Sequence, residues 1–411
     1  MEESRSKRAC FWLVRVLGTS FLGLGLCIAL AAGTSAVGQV LVSGGSCVLV
    51  DGKPFFPVGL YSAGGERDFP IIREAGFNTV HTYTWEGRKD DDWGKEWLDA
   101  VHENGLMALV GLYRPDVRAM DFEDSVRRIE SFKNHPALLA WHTMDEPAWD
   151  KEGDQGESYM PKAYEIIKAH DPGHPVTAVV CHFSDTELFE PSVDVLQADY
   201  YPIPPIPADW YSGTGFRGIK LFVDKWRDAS KGEKPFWYVG QIFDFSHQKE
   251  KNHDVPEEWQ RLPTGEEVRC MTYTAIASGA RGIFYWSLSR LIGDDWNRGL
   301  LPRVVLWEEL KETVAEVNQL MPVLTSDGSE TIQEENGVVV MVKGDGEHTY
   351  IIAANYERKP SDLGIRVPGV NQARAERVFR TGSDSVDGEL LSTHFEPLEV
   401  KVYHLRDKTE Q

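Results

Sequence analysis

The chain has 411 residues, 42% of them hydrophobic and 26% charged, which is ordinary for a folded globular protein and long enough for one large domain and a smaller one. Its formal net charge of −21 sets it against phosphate backbones and anionic membrane surfaces, which excludes nucleic acid as a natural partner. Five cysteines without any CxxC spacing exclude a disulfide scaffold and a zinc-finger cluster.

Arg5, Lys7, Arg8 and Arg15 precede or open an apolar stretch that runs from Val16 to Ala32, and small residues follow as far as Ala36. A basic start, an apolar middle and a small-residue site such as Thr34-Ser35-Ala36 make the order of an export signal. Residues 1–36 are read as a signal peptide, and the body of the protein as exported to the periplasm, the exterior or the cell surface. A membrane is a partner only if this segment stays uncleaved, since about 20 apolar residues would span a bilayer. Without residues 1–36 the chain keeps 39 Lys and Arg against 62 Asp and Glu. Cys47, Cys181 and Cys270 also remain, enough for one disulfide.

From Lys53 onward, short apolar runs alternate with amphipathic segments. The strands are Phe56–Tyr61, Asn78–Thr84, Leu106–Tyr113, a fourth opening at Ala137–Trp141, Pro175–Cys181, Asp194–Tyr201, Phe236–Phe243 and Gly282–Leu288. Helices are expected at Asp68–Ala75, Trp93–Glu103, Asp121–Lys133, Ser158–His170, Phe216–Ala229, Glu266–Ser278 and Leu306–Leu320. Eight strand-then-helix units over roughly 250 residues have the size of a closed (β/α)8 TIM barrel. The strands are apolar along their length, as parallel strands buried on both faces must be. No GxGxxG follows a strand and no GK[ST] occurs, so neither a dinucleotide nor a phosphate turn supports the open doubly wound alternative. The barrel is assigned to residues 37–322. Beyond Pro322 five strands (Val338–Lys343, Thr349–Tyr356, Leu363–Val367, Arg374–Arg380 and Leu398–Leu405) follow without a helix, a small antiparallel β-sandwich over residues 323–411. It shows no aromatic platform and is read as a packing accessory.

Active sites of such barrels lie at the carboxyl ends of the strands. That rule brings His81, Tyr83, His142, Asp145, Glu146, Asp199, Tyr201, Gln241, Asp244 and Trp286 to one rim, with Trp149 on the loop after strand four. Aromatic rings stack on the apolar faces of a pyranose while carboxylates and amides bind its hydroxyls, so a carbohydrate substrate fits this set. No HExxH or other ligand spacing occurs, and neither a metal nor another cofactor is expected. No GxSxG elbow supports a serine hydrolase.

Several motifs occur in the same order as in a known superfamily: Gly52-Lys53-Pro54-Phe55-Phe56 before strand one, Ala75-Gly76-Phe77-Asn78-Thr79-Val80 before strand two, Asn134-His135-Pro136 before strand four, and Gly279-Ala280-Arg281-Gly282 leading to Tyr285-Trp286 on strand eight. Over residues 50 to 320 the chain resembles the large retaining glycoside hydrolase superfamily that includes β-galactosidases, β-glucuronidases and cellulases. The resemblance implies hydrolysis of O-glycosidic bonds in a poly- or oligosaccharide, with Glu146 as general acid/base. It also shows two departures. Asp145 stands where the superfamily has an Asn that holds a sugar hydroxyl. Gln241 ends strand seven, where the nucleophilic Glu is expected, and an amide is a poor nucleophile.

Glycoside cleavage usually needs two carboxylates, so Glu146 requires another partner. In the preferred reading that partner is a rim acid such as Asp199, Asp244 or Glu86, and Gln241 binds a sugar hydroxyl. In a second, Asp145 orients an N-acetyl group of the substrate, which attacks while Glu146 protonates the leaving oxygen. In a third, the barrel is a degenerate glycosidase that binds glycans without cleaving them.

Overall fold

The structure, a computed structural model, describes residues 40–43, 47–61, 67–81, 91–112, 122–147, 155–203, 214–246, 257–292, 301–344 and 347–407. The expected export signal, Tyr83, Glu86, Trp149 and much of the loop after Asp244 lie outside these residues.

The eight expected barrel strands are all present. They are β4 (Val58–Leu60), β5 (Thr79–His81), β6 (Met107–Gly111), β7 (Leu138–Asp145), β8 (Val176–Val180), β9 (Val195–Asp199), β10 (Phe236–Gln241) and β11 (Ile283–Trp286). They pair in parallel and in chain order, and β11 closes back on β4. Before them, β1 (Val40–Ser43), β2 (Cys47–Val50) and β3 (Lys53–Phe55) form an antiparallel meander, where the sequence pattern predicts no more than a turn at Asp51-Gly52. Val40 and Val48 of this meander join Leu109, Leu139, Val179, Val195, Trp237, Val239 and Phe284 in one buried cluster. The meander thus plugs the barrel at the end where the strands begin, leaving the opposite end for a site. Gly59 is required inside: a Cβ there would sit 2.2 Å from the Phe284 ring.

The helix Gly265–Ser278 shows how the two parts of the chain join. Every residue in it except Glu266 is buried, because the barrel covers one side and the C-terminal sheet the other. A helix sandwiched in this way needs no polar face. Thr264 and Glu267 form a capping box at its start, and Gly279 ends it at φ +107°. Met341, Ile352, Ala354, Val400 and Val402 of the C-terminal sheet share one core cluster with the barrel's outer layer.

That sheet has eight antiparallel strands where five are expected. They are β12 (Glu330–Glu335), β13 (Val338–Gly344), β14 (Thr349–Asn355), β15 (Ser361–Arg366), β16 (Gln372–Arg377), β17 (Ser383–Asp387), β18 (Leu390–Phe395) and β19 (Val400–Asp407). The three additional strands, β12, β17 and β18, are rich in Glu, Asp, Ser and Thr and bury alternate residues at most, so an apolar-run criterion passes over them.

Candidate active site

The ends of β7, β8 and β9 build the centre of the site. The β7–β8 pairing slips between His142 and Asp145, and this irregularity lets Asp145 pair with Val179. The next residue, Glu146, takes a left-handed backbone (φ +47°) while its N–H donates to the Val179 carbonyl at 2.9 Å. Left-handed conformations are unfavourable for a residue with a Cβ and persist where the surroundings enforce them, often at functional sites. Pro147 follows and stops the strand. The chain is thereby turned so that Asp145 and Glu146, which in a regular strand would point to opposite sides, are both half-exposed at the rim.

Across the mouth, Val180 pairs with Ala198, which puts Cys181 and Asp199 side by side at the ends of β8 and β9. One side-chain donor atom from each of Glu146, Cys181 and Asp199 lies within 4.8 Å of the other two. Both Cys181 and Asp199 lie close enough to Glu146 for its charge to act on them. Burial first, then the charges of Glu146 and Asp145, hold the Asp199 carboxyl well above the usual carboxylate range. Burial also dominates at Cys181, and the charges of Glu146, Asp199 and Asp185 add to it, keeping that sulfur a thiol rather than a thiolate. Asp199, the more deeply buried of the two carboxyls, is therefore the member that holds a proton.

Beneath this layer the barrel is polar but closed. The Tyr61 hydroxyl donates to Gln197 at 2.9 Å, and Gln197 donates to Thr177 at 3.1 Å. His81 stacks on Tyr61 with ring centroids 4.2 Å apart, and His142 meets His81 edge-on at 4.5 Å. Burial lowers the pKa of His142 to about 3, and burial together with His142 lowers that of His81, so both rings are neutral. Each is 1% exposed. Expected as substrate contacts, both lie in the packed interior below the rim.

The rim on the β9–β11 side is aromatic. Tyr201, Phe243 and Phe245 are buried together, and Trp286 packs on them while remaining partly exposed. Phe243 meets Trp286 edge-on at 4.6 Å and Tyr201 at 4.9 Å. Trp286 is therefore the described ring most available to a ligand here, with Tyr201 supporting it.

Two expected sugar ligands are otherwise engaged. Gln241 is fully buried; its amide nitrogen donates to the carbonyls of Ile203 and Phe243, and its oxygen accepts from the Ile203 N–H at 3.0 Å. Both amide hydrogens are spent on backbone, which corrects the sugar-hydroxyl role: Gln241 braces the chain leaving β9 against the end of β10. Asp244 accepts from the Ser246 N–H at 3.0 Å and from its hydroxyl, and lies 3.6 Å from Arg303. It shapes its own turn. The disulfide allowed by the cysteine count is not formed among the buried Cys47, Cys181 and Cys270.

Cys181 is the site residue that sequence reading passed over. The signal is parity: it closes its strand two residues after the inward-facing Val179, as Asp199 closes β9 two residues after the inward-facing Gln197.

No protein-family model matches the chain, and no curated protein sequence matches it either. Its fold is shared with solved structures of low identity. One described as a glycoside hydrolase superposes with a TM-score of 0.63 at 14% identity, covering 92% of this chain and 98% of the other. An α-amylase from Anoxybacillus superposes at 0.53 with 11% identity, covering 84% of this chain and 90% of its own. A family 39 glycoside hydrolase from the gut symbiont Bacteroides cellulosilyticus gives 0.52 and 13%, with 88% and 84% covered. At these identities the likeness is one of fold.

Proposed function

We propose that the protein is an exported glycoside hydrolase in which Glu146 is the general acid/base and Asp199 the second carboxylate. The observation that carries this reading is the pair itself. Two carboxyl groups from β7 and β9 meet within 4.8 Å at the open end of the barrel, whose rim also carries the partly exposed Trp286. Asp199 on barrel strand six thereby supplies the acid that Gln241 does not supply on strand seven. Inverting enzymes hold their carboxyls roughly 6.5–9.5 Å apart to admit a water, and retaining enzymes about 5–5.5 Å apart. The close pair here favours retention.

In the resting site Asp199 holds the proton. As a sugar enters between the carboxyls, Asp199 passes that proton to Glu146, the member that faces the mouth, which delivers it to the leaving glycosidic oxygen. Asp199, now a carboxylate, attacks the anomeric carbon. Water then releases the sugar from Asp199, with Glu146 accepting the water's proton. On this reading the chain is a divergent relative of the retaining superfamily its motifs resemble. The solved structures with its fold, glycosidases among them, support the reaction class.

Substrate assistance is favoured by one observation only, that Asp145 lies close enough to Asp199 and Tyr61 for its charge to act on both. A panel of oligosaccharides and aryl glycosides, with and without N-acetyl groups, separates the readings by the reducing ends released. Cleavage of plain hexosides supports the Glu146–Asp199 pair, and cleavage confined to N-acetyl sugars supports Asp145. Binding without cleavage across the panel leaves a glycan-binding barrel and overturns the enzyme.

A further inference from the structure

We propose that Glu146, Cys181 and Asp199 bind one thiophilic divalent cation of the zinc class, which competes with the sugar for the two carboxylates. The binding stands independently of the hydrolysis reading; only the competition rests on it. This departs from the metal-free site that sequence spacing implies, because the three ligands come from three different strands and form no motif.

Three consecutive barrel strands each deliver one donor at the same height: Glu146 just past β7, Cys181 just past β8 and Asp199 at the end of β9. Their donor atoms lie within 4.8 Å of one another. Bonds of roughly 2.0–2.3 Å to zinc set tetrahedral donors about 3.3–3.8 Å apart, so adjustments of about an ångström would close the triangle. A sulfur with two carboxylate oxygens suits a borderline-soft ion and not magnesium or calcium, which take oxygen alone. Glu146 is half-exposed, which leaves a fourth position toward the mouth for water.

Two further observations point to a ligand. Among the described residues no Lys or Arg pairs with Glu146 or Asp199, so no cationic side chain joins the two carboxyls and the thiol gathered there. Asp199 is 6% exposed, and its Oδ1 accepts from no amide, hydroxyl or cationic donor in the described residues. A buried carboxyl oxygen left in this way is costly, and a cation satisfies it. Binding would release one proton from Cys181 and one from Asp199, which offsets the two positive charges brought in.

Cobalt reports the thiolate directly. Titrating the purified, metal-free protein with Co2+ is expected to raise a thiolate-to-cobalt charge-transfer band that saturates at one equivalent and is displaced by Zn2+. Cys181→Ser should abolish the band, and Asp199→Asn should weaken binding at least tenfold, with circular dichroism showing which variants are folded. If Cys181→Ser fails to fold, the Asp199→Asn titration decides. Absence of the band in the wild type, its survival in folded Cys181→Ser, or unweakened binding by Asp199→Asn overturns the site. Where a cleaved glycan is known, Zn2+ should inhibit the wild type at the concentration that displaces cobalt. Full turnover by zinc-saturated protein overturns the competition but leaves the pair's chemistry standing, whereas loss of the band without loss of turnover removes the metal alone.

Discussion

Glu146 combines a left-handed backbone with a backbone hydrogen bond to Val179 on the neighbouring strand, so the place of its Cα and Cβ is set by the fold. Glu146→Gln keeps that shape and removes the transferable proton. Its kcat on any cleaved glycan should fall roughly 10²–10⁴-fold while KM stays within a few-fold, the range for loss of a general acid. A kcat within a few-fold of wild type in steady-state assays would remove Glu146 from the acid role. Gln241 makes a second residue-scale case. Gln241→Glu restores the residue type that the resembled superfamily carries on strand seven, yet it would face the carbonyl oxygens of Ile203 and Phe243. The expected outcome is a lower melting temperature without any gain in turnover, read by calorimetry and the same assay. Gln241→Ala leaves buried backbone groups unmet and should cost about 3 kcal/mol in denaturant unfolding. Glu146 was legible from sequence because an apolar run ends there in acid and proline. The fate of Gln241 was not, because what its amide touches depends on Ile203, 38 positions away.

At the scale of elements, apolar strands and capped helices were legible because each declares itself locally. All eight barrel strands and the helix from Gly265 to Ser278 fall close to where composition places them. The meander β1–β3 and the strands β12, β17 and β18 did not declare themselves, being short or exposed on one face. The capped helix carries a pH-dependent prediction. Burial raises the pKa of Glu267, but hydrogen bonds from Arg261, Arg358 and the Thr264 N–H outweigh it and hold the carboxyl at about 2, below its ordinary value of 4.5. A depressed carboxylate stabilises the fold fully above the unfolded-state pKa, and that contribution is lost as pH falls through the folded value. Stability should therefore decline between about pH 4.5 and pH 2, and Glu267→Gln should flatten that decline in urea melts taken across the range. An unchanged acid limb in Glu267→Gln would assign the decline to other carboxylates.

At the scale of the molecule, the C-terminal sheet belongs to the barrel's structural integrity. Val339, Met341, Ile352, Ala354, Val400 and Val402 complete the cover of the helix Gly265–Ser278. Arg269 ties that helix to Glu316 at 2.7 Å and to the Val400 carbonyl at 3.2 Å, and Arg358 joins Glu267. Deleting residues 323–411 should expose this apolar face and give an aggregating or unfolded barrel in size-exclusion chromatography. A soluble, cooperatively melting barrel would show the two parts to be independent. The resulting scaffold holds one end of the barrel plugged by β1–β3 and the other open, with the acids of β7 and β9 at the open end.

The pairing of Glu146 with Asp199 is tested most directly by a double-mutant cycle in kcat/KM on a cleaved glycan. Glu146→Gln and Asp199→Asn should each lower it at least about a hundredfold, and the double variant should fall little below the worse single, as residues acting as a unit do. An Asp199→Asn enzyme within a few-fold of wild type, or two losses that simply multiply, would contradict the pair.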